Sequence, residues 1–287
     1  SDAELAGLKP HAVLVPVDNA PPFMETTLVA RRRGISVIML QHGLDCERFY
    51  LDDAYASHIA TWGRYRRERY ERDSVHQPSC LRDVGNTRYE HVDKAVGSIA
   101  TSPGRWVWVT RPHRPEKCYA PSRRVDEGLR IFDALVEALR ETPSAVLIIQ
   151  CHTFDYPELY ERRIAECGLG ERVQVSREAI WPILASADVV ISEDSTAGLD
   201  AMLLGKCLVH AHLSGAPPVM PFADMRAALP GFSHQDLVGA MRRASELSDA
   251  DRVTMQRRQT EFLDFAVGPR DGKAANRFCE FVAEVLT

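Results

Sequence analysis

The chain has 287 residues, 45% of them hydrophobic and 26% charged, a globular composition that excludes extended disorder, collagen-like repeats and coiled coil. At about 100–200 residues per domain, it holds two modest domains or one large one. Thirty-five basic against 40 acidic residues leave a formal net charge of -5, which argues against a nucleic-acid partner, and no apolar run reaches the roughly 18–20 residues of a membrane span.

The first predicted element is a β-branched apolar strand over 12–17, stopped by Asp18, Asn19 and the following prolines. A helix over 23–33 ends in three arginines before Gly34, and a second strand covers 35–40, which together make a βαβ unit with parallel strands. The alternation continues with a strand over 57–61, a helix over 64–72 and a short strand over 81–84. A weakly patterned, glycine- and serine-bearing stretch follows. It divides the chain into an N-terminal domain, 1–97, a linker, 98–105, and a C-terminal domain, 106–287. The second domain opens with a strand over 106–110 and an amphipathic helix over 123–140 with Phe132, Leu135, Val136 and Leu139 on one face. Strands at 145–150, 172–175, 188–192 and 207–210 then alternate with helices at 157–167, 178–186 and 196–204, and the tail from His234 is helical. The fold class is therefore α/β, with two Rossmann-like, doubly wound domains facing a cleft. Ligands are expected at the carboxyl ends of the strands.

The loops at those ends carry the chemistry. Gln41-His42-Gly43 follows the second strand; a histidine there has a pKa near neutrality and suits proton abstraction. On position alone it reads equally well as a ring satisfied by loop backbone. After the strand over 188–192 comes Glu193-Asp194-Ser195-Thr196, where a helix start offers backbone N–H groups and two hydroxyls to a phosphate. Plain N-capping explains the same residues. Two neighbouring strands deliver Cys151-His152-Thr153 and Arg111-Pro-His113 to the same edge, adding a cation and two imidazoles.

Three features are set aside. His210-Ala-His212 lacks a third ligand at useful spacing, so no metal is expected. The run from Arg64 to Arg72 interleaves Glu68 and Glu71 at helical spacing, as a solvated face does. The fingerprints of dinucleotide oxidoreductases, P-loop enzymes and α/β-hydrolases are missing from the sequence. Seven scattered cysteines without C-x-x-C and the absence of a signal peptide in residues 1–9 indicate reduced thiols and a cytoplasmic location.

In their order, Gln41-His-Gly43, Trp62-Gly63, Val84-Gly-Asn-Thr-Arg88, the His152 loop, 188–206, Leu213-Ser-Gly-Ala-Pro217 and Asp271-Gly-Lys-Ala274 resemble the cleft region of GT-B-type glycosyltransferases. The nearest likeness is to bacterial surface-polysaccharide and CDP-glycerol glycerophosphotransferase types. The resemblance implies a nucleotide-sugar or CDP-alditol donor, a glycan or lipid-linked acceptor, no cofactor, and an enzyme peripheral to the inner membrane or part of a larger polypeptide. It makes His42 the general base or the residue beside it, and places His152, Asp194, Ser195, Thr196 and Arg111 among the donor- and phosphate-binding residues. Glu193 would reach the ribose hydroxyls. Asp18, Asn19, Gly43, Asn86 and His113 fall to the acceptor side or cleft. Thr153 stands where the family commonly has Pro.

Two rival readings are a UDP-sugar 2-epimerase-like enzyme, whose extra carboxylates near the first-domain histidine are here represented only by Asp45 and Glu47, and a non-catalytic nucleotide-binding module of a larger polymerase. The short first domain and the start at Ser1 point to a reduced or truncated N-terminal domain.

Overall fold

A computed structural model describes residues 2–44, 55–74, 77–92, 99–111 and 125–287. His113, Asp45 and Glu47 lie outside the described residues.

The chain forms two compact units, Ser1–Val92 with Leu263–Thr287, and Asp93–Phe262. The first unit holds strands β1 (Ala12–Val15), β2 (Ser36–Leu40), β3 (His58–Thr61) and β4 (Leu81–Asp83) in a parallel sheet of order β1-β2-β3-β4. Helices α1 (Asp2–Leu8), α2 (Phe23–Arg32) and α3 (Arg64–Asp73) accompany them. The second unit holds β5 (Arg105–Val109), β6 (Val146–Gln150), β7 (Val173–Ser176), β8 (Val189–Ser192), β9 (Cys207–Ala211) and β10 (Leu229–Gly231). Their order, β10-β9-β8-β5-β6-β7, is parallel throughout. The chain leaves β5 in one direction through β6 and β7, then returns to the other side of β5 with β8. That reversal between β5 and β8 is the switch point of a doubly wound sheet.

Strands covered on both faces read as continuous apolar runs, which is why the sequence showed them. In β5, Trp106, Val107 and Trp108 are fully buried, and the Trp108 ring meets Tyr160 edge-on with centroids 5.3 Å apart. Helix α4 (Val125–Glu141) lays Ile131, Phe132, Leu135, Val136 and Leu139 into the same core. Helices α5 (Pro157–Cys167), α6 (Ile180–Ser186), α7 (Ala197–Leu203), α8 (His234–Ser245), α9 (Asp249–Ala266) and α10 (Ala274–Leu286) complete the described helical set. None of the described helices is long and apolar enough to cross a membrane.

Three features differ from the sequence expectation. Helix α1 was not expected; it is a short element whose Leu5 is buried in the first unit's core. Strand β10 contains Pro230, a strand breaker in general, and is accommodated because it lies at the sheet's edge. Most consequentially, the expected division at 106–287 assigned the C-terminal helices to the second domain, whereas Leu263–Thr287 belongs to the first unit. Phe281 of α10 is buried with Ile38, Ala60 and Val84, and Arg277 Nε donates to the Val84 carbonyl at 2.8 Å.

Two motif glycines make room for this return. A Cβ on Gly63 would stand 2.7 Å from the Gly268 nitrogen and 2.8 Å from the Phe265 carbonyl oxygen. Gly85 has φ +88°, a left-handed conformation, and a Cβ there would stand 3.1 Å from the Pro269 carbonyl oxygen. Both obstacles are backbone, so Gly63→Ala is expected to cost about 1–3 kcal/mol, read as a lower denaturant midpoint. Gly7→Ala, where the added Cβ meets nothing within 4 Å, should leave the midpoint unchanged or raise it. Equal midpoints for the two variants would refute the close-approach argument.

Candidate functional site

In the second unit the carboxyl ends of the strands set side chains in a row. Arg111 follows β5 and Glu193 to Thr196 follow β8, so they flank the switch point. Arg111 is 6% exposed, and its guanidinium makes no hydrogen bond or ion pair among the described residues. A buried cation without a counter-ion is costly unless an anion is supplied. Next to it, Thr110 N–H donates to the Gln150 carbonyl at 3.1 Å and Thr110 Oγ1 accepts from the His152 amide at 2.9 Å, tying the β5 end to the β6 end.

His152 is exposed, and its Nδ1 accepts from the Phe154 amide at 3.1 Å. That bond places the ring proton on Nε2, so the neutral ring is a donor. Partial burial holds its pKa below the ordinary histidine value; Asp155 opposes this and the Arg111 charge adds to it. A cavity of about 530 Å³ opens beside it, lined by Gln150, His152, Asp155, Arg177, Glu178 and Ile180 among others.

Asp194 behaves differently from its expected role beside the phosphate. It is 1% exposed, and four donors converge on its carboxylate: His210 Nε2 at 3.0 Å, His212 Nδ1 at 3.1 Å, the Val219 amide at 3.1 Å and the Met220 amide at 2.9 Å. Burial alone would raise its pKa, but these hydrogen bonds hold it far below the usual carboxylate range. It ties the end of β8 to the end of β9 and to the loop beyond. Glu193 beside it is also buried.

Ser195 Oγ accepts from the Ala197 amide at 3.3 Å, the local bond that plain capping predicts. Thr196 occupies the cap position of α7 without a side-chain capping bond, so its hydroxyl is not consumed there. Phe222 closes the back of this turn: a Cβ on Gly198 would stand 2.7 Å from its ring.

The first unit has its own cavity of about 390 Å³, lined by residues that include Gln41, His42, Trp62, Asn86, Arg88 and Phe278. His42 Nδ1 donates to the Pro16 carbonyl at 2.9 Å, which leaves Nε2 with a lone pair. Gln41 braces the loop: its Nε2 donates to the Gly43 carbonyl at 3.0 Å and its Oε1 accepts from the Trp62 amide at 2.7 Å. Asn86 Oδ1 accepts from the Arg88 amide at 3.0 Å. Asp18 does not line this cavity; it is buried and accepts from the Ala56 amide at 2.6 Å. Asn19 is also absent from the lining.

His42, Gly43 and Asn86 are thus together in one unit, and Arg111, His152 and Glu193 to Thr196 in the other. Sequence reasoning missed Trp62, Arg88 and Phe278 as lining residues and His212 as a partner of Asp194. Trp62 and Arg88 stood inside motifs already noted, whereas Phe278 lies nearly 200 residues away in sequence from Arg88.

No protein-family model matches the chain, and no curated protein matches it. Solved structures do. A putative UDP-N-acetylglucosamine 2-epimerase from Listeria monocytogenes is 17% identical, with 99% of this chain and 77% of that one covered at a TM-score of 0.69. S. aureus MnaA, solved with UDP, is 14% identical with 99% and 77% covered at 0.71. The pneumococcal O-GlcNAc transferase GtfA, in complex with UDP and GlcNAc, is 14% identical with 99% and 59% covered at 0.63. At these identities the likeness is one of fold: the protein has a GT-B-like α/β fold.

Removing the Asp194 carboxylate leaves two imidazoles and two amides without an acceptor. Asp194→Ala is therefore expected to destabilise the protein by about 3–5 kcal/mol, measured as a lower denaturant midpoint. Because its folded pKa is depressed, the carboxylate's contribution is complete above the unfolded value of about 3.9 and fades as pH falls below it. The difference between wild type and variant should hold from pH 8 to 5 and shrink in stronger acid.

Proposed function

We propose that the protein is an enzyme that binds a UDP-linked sugar through its diphosphate at the β5/β8 edge of the second unit and inverts the sugar at C2. The buried Arg111 at the switch point, without a counter-ion among the described residues, carries the binding reading, with His152 Nε2–H and the Ser195 and Thr196 hydroxyls as further donors. The epimerase reading is supported by the fold likeness to the Listeria putative UDP-N-acetylglucosamine 2-epimerase. The second unit is then the donor-binding half.

A second reading, transfer of the activated group to a glycan or lipid-linked acceptor, is favoured by His42, whose Nε2 meets no partner among the described residues and faces a cavity where it suits removal of an acceptor hydroxyl proton. In that reading the first unit is the acceptor side, and Arg111 and the phosphate donors stabilise the departing diphosphate. The fold likeness to GtfA accords with it.

Incubation with UDP-N-acetylglucosamine in deuterated water, without acceptor, separates the readings. Epimerisation predicts the C2 epimer and deuterium at C2. Binding without either product would exclude it and leave transfer, scored by adding glycan acceptors; binding with no turnover of any donor would indicate a non-catalytic module. Arg111→Ala should weaken UDP binding about 10- to 100-fold, as loss of charged hydrogen bonds of about 1.5–3 kcal/mol requires. His42→Ala should abolish turnover while UDP affinity stays within about twofold of wild type. Full turnover by that variant would remove His42 from the mechanism.

A further inference from the structure

The Asp194 cluster contains a group that the phosphate site does not yet use. His212 stands just past β9, and β9 is the neighbour of β8 in the sheet. Its Nδ1 donates to Asp194 at 3.1 Å, so its Nε2 is turned the other way, where it meets Ser214 Oγ at 2.6 Å. The side chain is 13% exposed while its carboxylate partner is 1% exposed. A fully buried carboxylate behind a nearly buried imidazole favours the imidazolium, and the Ser214 hydroxyl occupies the outward ring position that an anionic oxygen would take.

We propose that His212 is a second cation of the diphosphate site, oriented and charged by Asp194, and that it clamps the ligand together with Arg111. The inference rests on the diphosphate reading above. The groups acting on His212 are Asp194 behind it, the Ala216 backbone and Ser214 on its own loop, His210 with ring centroids 6.4 Å away, and Arg111 beyond the β5 end. Burial lowers the pKa of His212, yet its hydrogen bond to Asp194 and the charge of Asp194 carry it above the ordinary value, while the Arg111 charge works against them. An anion lying between Arg111 and His212 screens that repulsion. Binding should therefore take up a proton, and affinity should fall as pH rises through the pKa of His212.

The test follows the Cε1–H signal of His212 in the intact protein through a pH titration, alone, with inorganic pyrophosphate and with UDP-N-acetylglucosamine, whose diphosphate diester does not titrate near neutrality. His212→Gln assigns the signal; if that variant does not fold, Ser214→Ala at an exposed loop position assigns it by perturbation. Each ligand should raise the His212 pKa by about one unit, equivalent to about tenfold tighter binding to the protonated form. His212→Gln should lose both this pH dependence and about tenfold in affinity at pH 6.5. Pyrophosphate moving His212 while the nucleotide sugar fails to bind would overturn the nucleotide reading and sustain the clamp. Either ligand bound with His212 unmoved would overturn the clamp alone. Binding of neither would overturn both.

Discussion

A carboxylate with 1% exposure is tolerated only where its lone pairs are filled, and Asp194 fills them from separate pieces of chain. His210 comes from strand β9, His212 from the turn after it, and the Val219 and Met220 amides from the loop beyond. One group thereby pins the end of β8, the end of β9 and the loop leading to Phe222. The Phe222 ring in turn faces His210 at 5.1 Å and sits against Gly198 in the first turn of α7. The positions of Ser195 and Thr196 follow from this arrangement, and so does the direction in which His212 presents its outer nitrogen.

The other half of the candidate chemistry depends on a different constraint, the close passage of backbone past backbone. Gly63 and Gly85 stand at the ends of β3 and β4 and admit the segment that returns from α9 to α10. That segment brings Phe278 into the lining of the His42 cavity and buries Phe281 under the first sheet. Glycines that in the sequence were simply marks of a motif turn out to be places where a methyl group would meet main-chain atoms. The surroundings of His42 thereby include a part of the chain about 230 residues away.

Much of the architecture was legible because it is written in local pattern. Parallel strands covered on both faces appear as short runs such as Trp106-Val-Trp-Val109, and helix α4 shows its core face at helical spacing. Elements that depend on context were not legible. Strand β10 is three residues with a central proline, acceptable only at an edge, and α1 is a short helix held by one buried leucine. The candidate site was legible in the same uneven way. His42, Arg111 and His152 were candidates from the sequence because they follow strands directly, where a doubly wound sheet exposes its loops. Asp194 was assigned to the ligand side because it stands beside Ser195, although neighbouring residues on a turn can face opposite directions.

The sequence by itself determined the α/β class, the order of most strands and helices, and the loops that must carry any chemistry, since each is a consequence of apolar periodicity and chain connectivity. Only the tertiary structure decided which charges are compensated inside the fold and which are not. Asp194 and Asp18 are satisfied by partners 16 to 38 residues away, whereas buried Arg111 meets no counter-charge among the described residues. It also decided that the C-terminal helix belongs to the first unit. The reason is the same in each case: hydrogen bonding and charge compensation depend on distance in space, and a linear pattern carries that information only for residues within the same element.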